Sequence, residues 1–303
     1  MDVPIAMLQY FCVLAEELHY GKAATRLRIA SPSLSQQITR LEGRVGARLF
    51  ERSPRRVELT DAGRELLPLA QEARRTHQAV LQWAAQRGSD RAVLRVGLVA
   101  AGAGALTTRI LGAALERMPG MRLELRRLGF FDVVDELLQG SVDVVIAPAP
   151  LRLPPEVRSR EIAREGRVLV VPRGHRLAGR REIGISETDD EVFVAPSGGD
   201  REVLDWWVVD PRPSGRSPRR GPAADDIEGI LELVATGVGV NIAAASAEAY
   251  YGREALAFVP IRDVPAVSIL LCSREVDASP AARAFERIAV DVAGGREAPT
   301  SDV

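Results

Sequence analysis

The sequence predicts a mixed α/β fold in two parts: a small, mostly helical head at the N-terminus and a larger α/β unit after it. Helical periodicity dominates residues 1–86, with one short hairpin pattern between residues 49 and 60. From residue 92 onward, apolar runs with strand character alternate with amphipathic helical patterns. Such alternation is typical of sheets covered by helices. The chain has 303 residues, which is enough for more than one core.

Two short helical patterns in the head are joined by a tight turn. The second is predicted to begin with Ser31 as its N-cap and Pro32 at the first helical position, where a missing N–H leaves no bond unmade. Its inner side carries apolar residues at helical spacing, namely Leu34, Ile38, Leu41 and Val45. Its outer side carries Ser33, Gln36, Thr39 and Arg40, all hydrogen-bonding groups. This pattern favours a helix that faces the major groove of DNA, and an ordinary amphipathic surface helix is the alternative.

Further apolar positions predict a helix that precedes this pair and faces Ala23 and Ala24. They are Leu8, Phe11, Cys12, Ala15 and Leu18. Downstream, residues 49–60 predict a β-hairpin with a basic tip from Ser53 to Arg56. This tip is expected to contact the phosphate backbone or the minor groove of DNA. The head is therefore predicted to be a winged helix-turn-helix. Its predicted DNA contacts are Ser31, Pro32, Ser33, Ser35, Gln36, Gln37 and Arg40 on the helix, and Arg52, Arg55 and Arg56 on the wing.

The distribution of charge agrees with a nucleic-acid partner for the head. Residues 1–60 hold nine Lys and Arg against six Asp and Glu, a surplus of three positive charges. The whole chain has a net charge of −1, so the remainder carries −4. A basic head on a mildly acidic body is the asymmetry expected of a DNA-binding protein with a separate second function.

One long helix is predicted from Thr60, its N-cap, to about Gln86, with Gly88 just beyond its end. Pro68 lies inside it and predicts a bend. An apolar stripe follows its length: Ala62, Leu66, Leu69, Ala73, His77, Val80, Leu81 and Ala84. Pairing with a second chain is the favoured way to bury this stripe, and packing on the chain's own head is the alternative.

The order of these motifs resembles the LysR-type transcriptional regulators over nearly the whole chain. The resemblance is carried by Leu8-x-x-Phe11-x-x-x-Ala15-Glu16, Ala23-Ala24-x-x-Leu27, Ser33-x-Ser35-x-x-Ile38-x-x-Leu41-Glu42, Leu49-Phe50-Glu51-Arg52 and Thr60-x-Ala62-Gly63. It implies a DNA-binding domain at residues 1–60, a linker helix at 61–88 through which two chains form a homodimer, and an effector-binding domain at 89–303. The partners that it implies are a double-stranded DNA operator, a small-molecule effector, a homotetramer and RNA polymerase.

The region after residue 92 is predicted to form two lobes. Strand–helix–strand order in each block favours a parallel sheet. Chain crossovers are predicted at residues 148–162 and 260–265, which places lobe I at 92–162 plus 266–293 and lobe II at 163–265. This organisation resembles the family's effector domain, which is similar to periplasmic solute-binding proteins. A cleft between two lobes is a usual ligand site. Residues 210–222, rich in Pro, Arg and Gly, are predicted to be a solvated loop.

The resemblance assigns the effector site to loops at the ends of strands. The residues are Ala100, Ala101 and Gly102 after the first strand, Phe130, then Pro196, Ser197 and Gly198, and Gly239. Family members that bind carboxylates commonly carry Ser or Thr at the first two of these places, whereas this chain has Ala100, Ala101 and Phe130. Backbone N–H groups near Gly102 and Gly198 could still hold one carboxylate. We therefore expect an aromatic or hydrophobic acid as effector, with an effector-independent regulator as the alternative.

Enzymatic activity is not predicted. Gly102-Ala103-Gly104 follows a strand and precedes a helix, but the third glycine of a dinucleotide-binding fingerprint is missing. Ser197 lacks the G-x-S-x-G context of a nucleophile. Three His and two Cys that do not cluster predict no metal site and no cofactor. An enzymatic α/β module is therefore a weaker alternative.

The compartment is predicted to be the cytoplasm. The N-terminus carries the first helix of the head and no export leader, and no run of eighteen apolar residues predicts a membrane span. Cys12 and Cys272 fall in different predicted domains, so no structural disulfide is expected. A secreted solute-binding protein is the main rival, but it would need a leader and would have no use for the head.

The wing generates a first prediction. Arg55→Ala is expected to weaken binding to all DNA sequences about equally and to reduce the slope of log K against log salt by about one, because one phosphate contact is lost. Binding titrations at several salt concentrations measure the slope. Arg219→Ala, outside the head, is the matched control and should leave the slope unchanged. An unchanged slope for Arg55→Ala would show that Arg55 does not contact the DNA backbone.

Overall fold

The computed structural model describes residues 3–27, 29–53, 56–87, 92–276 and 278–295. The chain divides into two compact units, residues 1–89 and 90–303. Within the described residues, no helix is both long and apolar enough to cross a membrane. The finer domain limits at residues 60 and 88 stay a prediction.

The first unit contains three helices, a hairpin and a long helix: α1 (Ile5–Glu17), α2 (Tyr20–Arg26), α3 (Ser31–Val45), β1 (Phe50–Ser53), β2 (Arg56–Leu59) and α4 (Asp61–Arg87). The predicted inner stripe of α3 is buried at Leu34, Ile38 and Leu41. It packs in one core with Phe11 of α1 and Phe50 of the wing, whose ring centroids lie 5.5 Å apart. His19 begins α2, because its Nδ1 accepts a hydrogen bond from the N–H of Gly21 at 3.0 Å.

Two local predictions for the head were wrong. The N-cap of α3 is Ala30, which makes no side-chain capping bond, and Ser31 is already helical. This follows from the carbonyl of Ala30, which accepts from the N–H of Leu34 at 3.1 Å and so closes the first turn one residue earlier. Leu18 is 45% exposed, because it has left-handed φ and ends α1.

The long helix α4 begins as predicted. Thr60 accepts from the N–H of Gly63 at 3.0 Å and donates to the carbonyl of Arg48 at 2.6 Å, so it ties the helix start to the wing. The apolar residues of α4 fall into a buried group and an exposed group. Ala62 and Leu66 pack on the head's own core, as does Ala70, whereas three other apolar residues of the helix are about half exposed or more, namely Leu69, Val80 and Leu81. The Ala84 side chain lies outside the described residues.

Lobe I of the second unit is built on β3 (Val93–Val99), β4 (Arg122–Leu128), β5 (Val144–Pro148), β6 (Val157–Glu165) and β12 (Val267–Arg274), with helices α5 (Ala105–Arg117), α6 (Val133–Leu138) and α10 (Pro280–Ala293). The strand order is β4-β3-β5-β12-β6. Both faces are buried: α5 and α10 cover one core, which includes Phe285, and α6 covers the other, which includes Leu137.

Lobe II contains β7 (Arg167–Pro172), β8 (Val192–Pro196), β9 (Arg219–Ala224), β10 (Asn241–Ala244) and β11 (Leu256–Ile261), with helices α7 (Arg201–Val208), α8 (Ile227–Ala235), α9 (Ala247–Tyr251) and a 3₁₀ turn at Ile185–Thr188. One sheet has the order β10-β7-β11, and β8 pairs with β9. A bridge between Phe193 and Val240 joins the two groups of strands.

The structure corrects the predicted crossover and sheet. Residues 148–162 are not a crossover, because β6 occupies residues 157–165 and pairs with β12. The chain crosses at Gly166, between β6 and β7, and again between Ile261 and Val267. The lobe I sheet is mixed: β3 pairs parallel with β4 and β5, but β12 pairs antiparallel with β5 and β6. β6 lacks a continuous apolar run because it is an edge strand with one exposed side.

A second prediction concerns the junction between α4 and the wing. A Cβ at Gly63 would lie 2.3 Å from the Leu49 carbonyl oxygen, whereas a Cβ at Gly43 of α3 would meet nothing within 4 Å. Gly63→Ala should therefore destabilise the head by about 1–3 kcal/mol. Gly43→Ala, the control, should be neutral or stabilise it by about 0.5–1 kcal/mol. Amide hydrogen exchange of α1–α3 in the full chain measures both; equal exchange rates would contradict the close approach.

Candidate nucleic-acid interface and ligand cleft

The outer face of α3 carries exposed polar side chains. Ser33, Gln36 and Arg40 are exposed, and so are Ser31 and Pro32 at the helix start. Of the other predicted contacts on this helix, Ser35 and Gln37 are half-buried. The face therefore presents a hydroxyl, a planar amide and a guanidinium on a helix whose opposite side is fixed in the core. These are the groups that bind base edges and phosphates in a major groove.

Glu42 positions the wing relative to this helix. Its Oε1 accepts hydrogen bonds from the backbone N–H groups of Leu49, at 2.9 Å, and Phe50, at 3.3 Å. The carboxylate therefore holds the first residues of the wing against α3. Sequence reasoning used Glu42 only as part of a motif and gave it no role.

The wing is an antiparallel pair, as predicted, in which Arg52 faces Val57 and Ser53 faces Arg56. The tip residue Arg55 lies outside the described residues, as do the side chains of Arg52 and Arg56. Their contacts with DNA therefore stay predictions from the sequence.

A cleft lies between the two lobes of the second unit. Its walls come from the ends of β3, β5, β8 and β10 and from helices α7, α8 and α9. The cavity volume is about 70 Å³, counted as the space open to the centre of a water molecule. Aromatic side chains contribute much of the wall, namely Phe130, Phe131, Trp207 and Tyr251. The cavity is small, and its largely apolar lining and its position between two lobes are usual for a small-molecule site.

Five of the eight predicted effector residues line this cavity: Ala100, Ala101, Gly102, Phe130 and Pro196. Ser197, Gly198 and Gly239 are not part of its wall. Ser197 turns to Asp225, to which its hydroxyl donates at 2.6 Å. Gly239 is needed for packing instead, because a Cβ there would lie 2.6 Å from the Val192 carbonyl oxygen.

Sequence reasoning missed the wall residues that come from helices. Leu204 and Trp207 lie on α7, and Ser246 and Tyr251 lie at the two ends of α9. Periodicity alone does not tell which face of a short helix meets a cleft. The adjacent Trp206 and Trp207 were the available signal, because neighbouring residues of a helix point in different directions, and both side chains are only half-buried.

The lobes also touch across the cleft through polar side chains. Arg127 of lobe I donates to the Ala100 carbonyl and lies 3.5 Å from the Tyr251 hydroxyl of lobe II. Arg152 of lobe I pairs with Asp200 and Glu202 at the start of α7. These contacts hold the lobes together around the cavity.

Arg167, the first residue after the Gly166 crossing, supports the cleft wall. Its Nη1 donates to the carbonyl oxygens of Trp206 at 3.0 Å and Trp207 at 3.3 Å, at the end of α7. The guanidinium lies 4.3 Å from the centre of the Trp206 ring. Burial, with the positive charge of Arg212, lowers the pKa of Arg167 to about 10, so it remains a cation at neutral pH. A cation at a helix C-terminus is favourable.

The segment 210–222 is not simply a solvated loop. The Arg212 side chain is fully buried, with its guanidinium 4.8 Å from the centre of the Phe193 ring and its Nε 3.8 Å from Asp189. Residues 219–222 belong to β9. The prediction failed because composition reports average polarity, whereas one arginine can be buried against an aromatic ring.

In winged helix-turn-helix proteins, a helix beside a β-hairpin turns its polar face outward and enters the major groove of DNA with that face. A cleft between α/β lobes adds a place for a ligand. These two units define the class of DNA-binding regulators with a separate effector domain.

Comparisons with known proteins specify the family. Residues 5–64 match the model of the bacterial regulatory helix-turn-helix protein, lysR family, and residues 87–294 match that of the LysR substrate binding domain. The HTH-type transcriptional regulator AlsR of Bacillus subtilis (strain 168) is 30% identical over 251 residues, 82% of each chain. The chain belongs to the LysR family of transcriptional regulators.

Solved structures agree with this assignment over nearly the whole chain. CbnR, a LysR family transcriptional regulator, has a TM-score of 0.59 with 25% identity, covering 96% of this chain and 99% of its own. A Corynebacterium glutamicum OxyR C206 mutant has a TM-score of 0.56 with 27% identity, covering 97% and 92%. The predicted fold class is thereby confirmed: a winged helix-turn-helix head, a long helix and an α/β effector domain.

A third prediction follows from Arg167. Arg167→Ala should destabilise the effector domain by about 3 kcal/mol, because two buried carbonyl oxygens lose a charged donor. Arg201→Ala is the control: that side chain is 73% exposed and pairs with Asp205 at 2.9 Å, so its loss should stay within about 0.5 kcal/mol. Thermal denaturation of the full-length variants measures both. Equal losses would mean that Arg167 does not support α7.

Proposed function

We propose that this regulator binds a specific operator through the outer face of α3, and that a small molecule in the cleft of the effector domain modulates its activity. The proposal of operator binding rests on the exposure of Ser33, Gln36 and Arg40 on α3. The opposite side of this helix is fixed in the core by Leu34 and Ile38. Gln36 has a planar amide suited to an adenine edge, and Ser33 and Arg40 suit phosphate or base. The basic wing would add backbone contacts.

The exposed part of α4 supports a homodimer. Leu69, Val80 and Leu81 are 62%, 56% and 49% exposed, although other apolar residues of the same helix pack on the core of the head. If the same helix of a second chain covered these three exposed side chains, their apolar surface would be buried. The resulting dimer would present two DNA-binding heads to an operator with two-fold symmetry. A homotetramer and contact with RNA polymerase rest on the family resemblance alone.

We propose that the chain has no enzymatic activity and acts in the cytoplasm, where its DNA target lies. Among the described residues, no group of His, Cys, Asp and Glu is placed to hold a metal ion. Cys272 is buried on β12, and burial raises the pKa of its thiol to about 12, so the reactive thiolate is scarce at neutral pH. Modulation by a bound molecule is therefore favoured over thiol chemistry at this residue. A regulator without any effector is the alternative.

A fourth prediction tests base recognition. The region upstream of the protein's own gene is first footprinted to define an operator. Gln36→Ala should then lose about 1–3 kcal/mol of binding free energy on that operator and much less on random DNA, because a base contact carries sequence information. Competition binding with the two DNAs gives the difference. Gln71→Ala, an exposed glutamine of α4, is the matched control. Equal losses on both DNAs would exclude Gln36 from base recognition.

A further inference from the structure

The wall of the cleft carries no charged side chain. Its lining residues, all in the described part of the chain, are apolar except for Asn241, Ser246 and Tyr251, with the indole N–H of Trp207 as a further polar group. Burial raises the pKa of Tyr251, so its hydroxyl stays protonated and neutral. A ligand ion buried here would meet no opposite charge on the wall, and a buried ion without a partner is strongly unfavourable.

Of the backbone donors that the sequence offered to a carboxylate, that of Gly198 is not part of the cavity wall, and those of the glycine-rich loop are already used. The N–H of Gly102 donates to the Val99 carbonyl at 2.9 Å, and the N–H of Gly104 donates to the Ala101 carbonyl at 3.0 Å. Between them, the N–H of Ala103 donates to Thr107 Oγ1 at 2.9 Å. The glycine-rich loop therefore closes on itself, and these three N–H groups are not available to an anion.

The other helix starts near the cleft hold the protein's own carboxylates. Asp132 lies at the start of α6, where its carboxylate makes no capping bond to the helix and accepts instead from the N–H of Gly129 at 3.1 Å. Asp200 caps α7 and Asp226 caps α8, with acceptor distances of 2.8 and 2.7 Å. The carboxylates of Asp200 and Asp226 therefore occupy the places where these two helix starts would otherwise attract a ligand anion.

A second pocket adjoins the cleft, and its charged side chains are mostly negative. It shares Ala100, Phe130, Ile227 and Tyr251 with the cavity wall. Four carboxylates line it, Asp132, Asp225, Asp226 and Glu228, against one cation, Arg127. Nη1 of Arg127 already faces two neutral acceptors, the Ala100 carbonyl and the Tyr251 hydroxyl. An approaching anion is therefore repelled before it reaches the cavity.

One polar group of the wall has no partner. The Ser246 hydroxyl oxygen is fully enclosed and makes no hydrogen bond to any described residue. The Asn241 amide, by contrast, donates to the Val194 carbonyl at 2.8 Å. An enclosed hydroxyl without a partner is unfavourable, and a ligand that supplies one hydrogen bond would remove that penalty.

We propose that the cleft binds an uncharged, largely apolar molecule with one hydroxyl or amide group that hydrogen-bonds to Ser246, a proposal that rests on the effector site proposed above. The ligand is neither a carboxylate nor an amine cation. When a neutral molecule of this kind binds, no charge has to be removed from water. The molecule can pack against Phe130 and Trp207 and form a hydrogen bond with the enclosed hydroxyl.

The test compares molecules that differ only in charge. Benzyl alcohol, benzylammonium and benzoate form one set, and cyclohexylmethanol, cyclohexylmethylammonium and cyclohexanecarboxylate form the second. With the full-length protein, the alcohols should raise the melting temperature by roughly several °C at saturation, and the charged members should not. A carboxylate or an ammonium that stabilises as much as its alcohol would overturn the proposal, and so would two alcohols without effect.

Two variants locate the bound molecule. Ser246→Ala should weaken the binding of benzyl alcohol about fivefold, the loss of one hydrogen bond, while the unliganded melting temperature should not fall and should rise slightly, because an enclosed hydroxyl without a partner is removed. This serine makes no capping bond to α9, so its removal leaves the helix start unchanged. Ser186→Ala, at an exposed position of lobe II, is the control and should bind as the parent does. Unchanged binding by Ser246→Ala would overturn the assignment of the hydroxyl.

Operator binding, measured in the same samples with and without the alcohols, separates this inference from the proposed function. Stabilisation by the alcohols without any change in operator affinity or footprint supports the ligand class and contradicts modulation by the cleft. A change in the footprint that only a charged molecule produces contradicts the ligand class and leaves modulation intact.

Discussion

Glu165 and Val267 face each other at the end of the ladder between β6 and β12, and both chain crossings between the lobes start beside that pair. Gly166 alone separates β6 from β7, and residues 262–266 separate β11 from β12. Both crossings leave one corner of the lobe I sheet, so this corner is where the backbone joins the two lobes. The position of the cavity, the reach of Arg127 and the placing of α7 all depend on this corner.

The same corner explains the role of Arg167. It is the first residue of lobe II, and its guanidinium reaches the carbonyl oxygens at the end of α7. The crossing and the cleft wall are therefore joined by one side chain, without an intervening loop. The end of α7 is therefore in direct contact with the residue that follows the crossing.

Elements with a clear apolar period were predictable from the sequence, and elements that depend on distant partners were not. The inner stripe of α3 and the Thr60 cap are local patterns, and the structure confirms both. β6 and β9 were missed because edge strands with charged or Gly–Pro sequences lack a repeating apolar pattern. The sequence located the cleft by its strand ends, at Ala100 to Gly102, Phe130 and Pro196. It could not show that the donors of the glycine-rich loop were already used, because the loop brings them to the Val99 and Ala101 carbonyls and to Thr107 only in the folded chain.

The tryptophans give the effector domain a built-in optical reporter. The chain has three, and two of them, Trp206 and Trp207, are adjacent on α7 with ring centroids 5.3 Å apart and planes at 88°. Trp207 lines the cavity, and Trp206 stacks under the Arg167 guanidinium. Rings this close share excitation energy, so the emission of the pair depends on both environments. Indole fluorescence therefore reports occupancy of the cavity and the position of the crossing in one signal, without any label.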